Sequence, residues 1–428
     1  MNPESIVFRG NVILPDRVLR GGAVSVADGR IVEVAAAADH SPLTTHHSPL
    51  TIDAKEGYIA PGFVDLHVHG GDGSDFMDGT DEAFTGALTA HARHGTTSMA
   101  VTTTVARHEQ IMAVLELTRQ FRTRADAPGS RVLGCHFYGP YFRYEARGAH
   151  PGAAVRPPVA EEYLQYLEYA ESLVTCTVAP EVPGAEEFAR ACTARGIRTN
   201  VGHSWATFAQ MAQAVQWGVR HVDHLYCAMS DKTRLRQFQM YPMQGGVLEA
   251  TLFLDELTTE VIADGKHLSA DLLQLALKIK GPDRLALVTD CNRALDMPDG
   301  EYMMGSLDGG EPMMKKDGVG MMPSGTGLAS SVEGMDHMIR TFLAMTSAPV
   351  GRPFQAVHAK LDGPEGPSYD GAKLAEVVRM ASLTPARIAG WDREIGSLAA
   401  GKRADVVVLS RDLAVQRVFR DGREIWRT

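Results

Sequence analysis

What most constrains this chain is an alternation of short apolar runs of strand character with helical patterns, several of the runs ending in a histidine or a carboxylate. Val132 to Phe137, Cys176 to Ala179, Ile197 to Val201, Gly246 to Leu252 and Leu285 to Thr289 read as strands of this kind. Such alternation predicts parallel strands joined by crossover helices. With ligand-type residues at the strand ends, a closed (β/α)8 TIM barrel is favoured over an open doubly wound sheet. A length of 428 residues accommodates that barrel and one smaller companion.

The two ends of the chain have a different texture. Residues 6 to 60 carry short β-type runs, among them Asn11 to Leu14 and Ala23 to Val26, broken by Gly and Asp-Gly turn signals. Ala404 to Leu409, Val415 to Phe419 and Glu424 to Trp426 repeat this pattern around an Asp421-Gly422 turn. The expected organisation is a small β-sandwich domain built from residues 1–60 and 400–428, with the barrel over 61–399. Inside the first part, His40-Ser41-Pro42-Leu43-Thr44 recurs as His47-Ser48-Pro49-Leu50-Thr51 and reads as a duplicated surface loop. Thr346 to Gly371, rich in Pro and Gly, reads as another loop.

Composition excludes several functions. The net charge of −10 argues against nucleic acid as a partner. Five cysteines without paired spacing suggest reduced thiols and a cytoplasmic location. Met1 to Gly10 has no basic segment leading into an apolar run, and no stretch is apolar enough to suggest a membrane span.

The chemistry centres on Pro61-Gly62-Phe63-Val64-Asp65-Leu66-His67-Val68-His69-Gly70. On a strand, Val64, Leu66 and Val68 face one side while Asp65, His67 and His69 face the other. Two imidazoles aimed the same way suit a zinc-type ion. His203 in Asn200-Val201-Gly202-His203-Ser204, His224 in His221-Val222-Asp223-His224-Leu225, and Asp290 after Val288-Thr289 also end β-type runs. In a parallel barrel the C-terminal strand ends share one mouth, so these side chains can meet. Together they offer imidazoles to hold an ion and a carboxylate to take a proton from water.

On these residues the chain resembles the N-acetylglucosamine-6-phosphate deacetylase family of the amidohydrolase superfamily. The likeness also rests on His94-Gly95-Thr96-Thr97, Gly148-Ala149-His150, His224-Leu225-Tyr226-Cys227-Ala228-Met229, Ile262-Ala263-Asp264-Gly265-Lys266-His267, Pro298 to Tyr302, and Ala381 to Arg387. The resemblance implies an amidohydrolase-type barrel with a small β domain, and a deacetylase acting on an N-acetyl amino sugar phosphate. It assigns a divalent metal, zinc with iron or manganese as alternatives, to His67, His69, His203, His224 and Asp290. Asp290 would also be the catalytic general base and then acid. His150 and His267 would contact the sugar and its acyl group, while Cys227, Ala228 and Arg234 would lie at the phosphate. A homodimer is implied because the family's phosphate-gripping arginine reaches across subunits.

The chain departs from the family at two places. His136-Phe137-Tyr138-Gly139-Pro140 puts Tyr138 where the family has a metal-binding glutamate, and a phenol with a reference pKa of about 10 is a poor ligand. One ion per subunit is therefore expected, with Glu249 a candidate to supply the missing carboxylate. Cys227 replaces an asparagine, and Arg234 and Arg236 flank the arginine position. Arg293 could reshape the pocket. These departures leave open a single-metal amidohydrolase for another N-acyl amine, a deaminase, or a silent sugar-phosphate-binding relative. The methionines Met303, Met304, Met313, Met314, Met321 and Met322 read as packing in β segments, and His94, His108 and His337 as structural.

Overall fold

The computed structural model describes residues 5–36, 49–347 and 369–428. Residues 40–48 of the repeated histidine-containing segment and most of the Pro- and Gly-rich stretch after Thr346 lie outside the described residues; the end of the repeat, Leu50 and Thr51, expected as loop, begins a strand.

Four strands come first: β1 (Ser5–Ile13), β2 (Val18–Ala27), β3 (Arg30–Ala36) and β4 (Leu50–Pro61). Eight parallel strands follow: β5 (Phe63–Val68), β6 (Thr96–Thr102), β7 (Arg131–Phe137), β8 (Leu173–Thr177), β9 (Arg198–Val201), β10 (Val219–Val222), β11 (Thr258–Ile262) and β12 (Leu285–Val288). They pair in sequence order, and β12 returns to β5 through the Val68–Cys291 bridge, closing the barrel. A three-stranded antiparallel sheet, β13 (Gly300–Met304), β14 (Glu311–Lys316) and β15 (Val319–Met321), hangs from the loop after β12. The chain ends in β16 (Val406–Leu409), β17 (Val415–Arg420) and β18 (Arg423–Arg427).

The last three strands return to the first four. The separate sheet runs β18-β17-β16-β4-β1-β2-β3 and is antiparallel except at β1–β4. Its core joins both ends of the chain: Phe8 and Phe419, both fully buried, meet edge to face with ring centroids 4.9 Å apart. That geometry is the favourable one for aromatic quadrupoles.

Period-two patterning explains how β5 sits. Val64 and Leu66 enter a core shared with Met338 and Phe342 of the helix Met335–Ser347 and Leu374 and Val378 of the helix Gly371–Met380. Val68 packs with Phe84 and Leu88 of the helix Asp81–Arg93. Asp65 and His67 take the other face, inside the barrel, where Asp65 accepts a 2.5 Å hydrogen bond from Thr289. Burial, only partly offset by Thr289, raises the Asp65 pKa to about 7.

The run Gly246 to Leu252, expected as a strand, is the helix Val247–Phe253. The strand of that unit is β11, and the alternation singles out neither β11 nor β6. Arg293, expected near the substrate, is buried away from it; its guanidinium donates to Asp78, Gly73 O, Met303 O and Gly305 O, tying together the loops after β5 and β12. The six methionines lie on or beside β13, β14 and β15, where Met304, Met313 and Met322 pack in one apolar cluster and Met314 is exposed. Among the described residues no helix is long and apolar enough to cross a membrane.

Arg131, at the start of β7, joins the barrel to the terminal sheet by donating to Asp405 at 2.5 and 3.1 Å and to Asp421 at 2.8 Å. Asp405 is 4% exposed, so removing its partner strands a desolvated carboxylate. Arg131→Ala should lower unfolding free energy by about 3–5 kcal/mol, read by denaturant titration. A loss under about 1 kcal/mol would show that the pair is a solvated surface contact.

Candidate active site

The C-terminal ends of the barrel strands deliver the expected side chains to one mouth. His67 and His69 come from the end of β5, Tyr138 follows β7, His203 follows β9, His224 follows β10 and Asp290 follows β12. Several of these residues turn the backbone sharply: φ is +47° at His203, +23° at His224 and +46° at Asp290. Non-glycine residues in this region are held there by their surroundings, at a cost of order 1–3 kcal/mol each. Gly202 serves a related purpose. A Cβ there would lie 2.5 Å from Asp223 Oδ2, so only glycine lets the ends of β9 and β10 approach this closely.

Three of the residues form a compact group. His69 Nε2 lies 3.2 Å and His67 Nε2 3.5 Å from Asp290 Oδ1, and the ligand atoms of the three residues all fall within 4.8 Å of one another. All three are buried. His67 Nε2 and His69 Nε2 have no hydrogen-bond partner. Two buried, orphaned imidazole nitrogens converging on a carboxylate oxygen fit a divalent cation, which supplies what a missing partner would. Burial would raise the Asp290 pKa, but His67 and His69 beside it prevail and hold it well below the usual carboxylate range.

His67 is oriented from behind. Its Nδ1 donates to Glu260 Oε1 at 2.6 Å, and Glu260 on β11 is 1% exposed. Glu260 does not figure in the sequence expectation. A charged residue inside the short run Thr258-Thr259-Glu260-Val261-Ile262 is the signal that could have revealed it, since such residues are seldom buried without a partner. Glu249, the expected source of an extra carboxylate, is elsewhere: it caps its own helix, accepting from Gly246 N at 2.7 Å and Lys232 N at 3.1 Å.

His203 and His224 face Tyr138. The phenol oxygen hydrogen-bonds Nε2 of both rings. His203 Nδ1 lies 2.7 Å from the carbonyl of Ala146, which can only accept, so that nitrogen carries the proton. Burial, followed by the neighbouring His150 and His224, pushes the His203 pKa well down and keeps the ring neutral. Its Nε2 is then a lone pair that accepts the phenol proton, and the phenol oxygen accepts from His224 Nε2–H. Burial, reinforced by Asp290, Asp223 and Glu260, pushes the Tyr138 pKa far up, so the phenol stays protonated. Both Nε2 atoms are thereby engaged by Tyr138.

The remaining expected residues line a cavity of about 580 Å³ above this group: His150, Cys227, Ala228, Arg234 and His267, with Trp205, Met304 and Ser330. His267 donates from Nδ1 to Asp264 at 2.7 Å, which aims its other nitrogen at the cavity. The Arg234 guanidinium stacks over the Trp205 ring, 4.8 Å from its centroid. His94, His108 and His337 lie outside it, against Asp296 and Asp336, Tyr166, and Asp264 O respectively.

Comparison with known proteins extends this picture over the whole chain. The amidohydrolase family pattern matches residues 58–425. The N-acetylgalactosamine-6-phosphate deacetylase of Escherichia coli O157:H7 is 31% identical over 376 residues, covering 87% of this chain and 89% of that protein. The N-acetylglucosamine-6-phosphate deacetylase of Vibrio furnissii is 31% identical over 369 residues, covering 86% and 83%. Among solved structures, the N-acetyl-D-glucosamine-6-phosphate deacetylase of Mycobacterium smegmatis superposes with a TM-score of 0.80 at 28% identity, covering 99% of this chain and all 100% of the other. A likeness that runs through both the barrel and the terminal sheet leads to one assignment: the chain belongs to the amidohydrolase family, in its branch of N-acetylglucosamine-6-phosphate deacetylases, and is a hydrolase of carbon–nitrogen bonds other than peptide bonds.

Proposed function

We propose that the protein is a metal-dependent deacetylase that hydrolyses the N-acetyl amide of an amino sugar phosphate such as N-acetylglucosamine 6-phosphate. The observation that carries this reading is the convergence of two orphaned Nε2 atoms, of His67 and His69, on Asp290 at the floor of a ligand-sized cavity. The relatives, amino sugar phosphate deacetylases in bacteria, support the substrate class. On this reading one ion, zinc before iron or manganese, is held by His67, His69 and Asp290. His203 and His224 complete the wall through the Tyr138 hydroxyl. The protein would work in the cytoplasm as a homodimer.

When bound, such an ion polarises the amide carbonyl and makes a nearby water more acidic. Asp290 takes a proton from the water as it attacks the carbonyl carbon. The same carboxyl then gives that proton to the amide nitrogen as the carbon–nitrogen bond breaks, leaving acetate and the free amine. His150 and His267 hold the acyl group and sugar in place, and Arg234 meets the phosphate.

A second reading keeps the chemistry and changes the substrate. Arg234 is the only arginine or lysine among the described residues that line the cavity. That thin cationic lining favours an N-acyl amine without phosphate. Arg234→Ala separates the two: if phosphate is recognised there, KM for N-acetylglucosamine 6-phosphate should rise about 10-fold or more while KM for N-acetylglucosamine stays level. Equal changes for both sugars would favour the second reading.

Two further outcomes test the centre. Asp290→Asn should cut kcat for acetate release by about 10²- to 10⁴-fold with the fold intact by circular dichroism; wild-type turnover would remove Asp290 from the reaction. Tyr138→Glu should raise zinc content from one ion per chain toward two, by elemental analysis, because a carboxylate no longer occupies His203 and His224 as a neutral phenol does. An unchanged content would mean that Tyr138 is not what limits the site to one ion.

A further inference from the structure

We infer that Glu260 is a positioning residue for the metal centre: from the barrel interior it fixes the tautomer and orientation of His67 and brings in the negative charge absent at Tyr138. The inference rests on the reading of His67 as a metal ligand.

The geometry comes from three groups around one carboxylate. Glu260 Oε1 accepts from His67 Nδ1–H at 2.6 Å and from the backbone N–H of His224 at 3.3 Å; Oε2 accepts from His221 Nε2 at 3.2 Å. A carboxylate oxygen accepts from Nδ1–H, so this bond keeps a proton on Nδ1 and leaves Nε2 as the nitrogen that faces the mouth and can give its lone pair to an ion. That is the tautomer a metal ligand needs, and the Nδ1 bond also stops the ring from rotating. The same oxygen ties down the backbone at His224, so one side chain registers the end of β5 against the end of β10.

His221, Asp223 and Glu260 could themselves be taken for a second metal site, since their ligand atoms lie within 4.8 Å of one another. The hydrogen bonds argue otherwise. Asp223 already accepts from Thr177 at 2.6 Å and Asn200 at 2.8 Å, and Glu260 from His67 and His221. Each carboxylate is already engaged, and both ring nitrogens of His221 are bonded as well, to Thr258 Oγ1 at 2.8 Å and to Glu260 at 3.2 Å. The layer supports the centre above it.

The end of β7 carries a neutral phenol in this chain, so the His67, His69 and Asp290 group holds one carboxylate. Glu260 adds a second negative charge one bond further from the ion, transmitted through the imidazole, which raises the basicity of the ligating nitrogen.

The test measures zinc affinity by competition with a chromogenic chelator for the wild type, Glu260→Gln, His67→Gln and Asp223→Asn. The expected pattern is a 10- to 100-fold loss for Glu260→Gln, a larger loss for His67→Gln, and less than about threefold for Asp223→Asn. Loss in His67→Gln with wild-type affinity in Glu260→Gln would overturn the inference and leave the metal reading standing. Equal losses in Glu260→Gln and Asp223→Asn would also overturn it, showing a general effect of buried charge. Wild-type affinity in His67→Gln would sink the metal reading itself. Should Glu260→Gln not fold, the zinc-loaded wild type carries the test by proton NMR: a slowly exchanging His67 Nδ1–H resonance far downfield, assigned by its loss in His67→Gln, supports the positioning bond, and its absence overturns it.

Discussion

Closure of the barrel between β12 and β5 is the contact on which both fold and site depend. At that seam Asp290 N donates to His67 O at 2.8 Å, and His69 N donates to Cys291 O at 2.8 Å. These backbone bonds satisfy the edges that an open parallel sheet would leave exposed. They also place the Asp290 carboxylate against the two imidazoles. Residues more than two hundred positions apart become neighbours through the same hydrogen bonds that end the sheet, so the ligand geometry is as rigid as the barrel.

The interior of this barrel is unusually polar toward its mouth. Layers of branched apolar side chains commonly fill such a barrel, yet here Asp65, His67, His136, Asp223, His221 and Glu260 are all buried inside. Burial alone would neutralise many of these groups. Their mutual hydrogen bonds keep Glu260 ionised, because burial, which raises its pKa, is outweighed by His67 and His221. Tyr138 belongs to the same economy: a protonated phenol between two neutral imidazoles satisfies three groups without adding charge to the site.

The features that were legible in the sequence are those set by local periodicity. Alternation in Phe63 to Val68 places His67 and His69 on one face, and the helices that cover Val64 and Leu66 lie where that pattern requires. The run Gly246 to Leu252 shows the limit: seven such residues fit a buried strand or a short helix equally well, and the segment is a helix whose first turn Glu249 caps. Reading that run as a strand puts the extra carboxylate at Glu249, whereas the strand after it carries Glu260. The side chain that supports His67 was thus hidden by a shift of one element.

By itself the sequence determined the parallel barrel, the pairing of the two termini and the identity of the residues at the strand ends, because each follows from hydrophobic period and turn chemistry within a few residues. Only the tertiary structure decided how those residues divide: His67 and His69 with Asp290, His203 and His224 with Tyr138, and Glu260 behind His67. Such choices depend on which atoms of distant strands come within about 3 Å and which nitrogen keeps its proton there, and no local pattern encodes either.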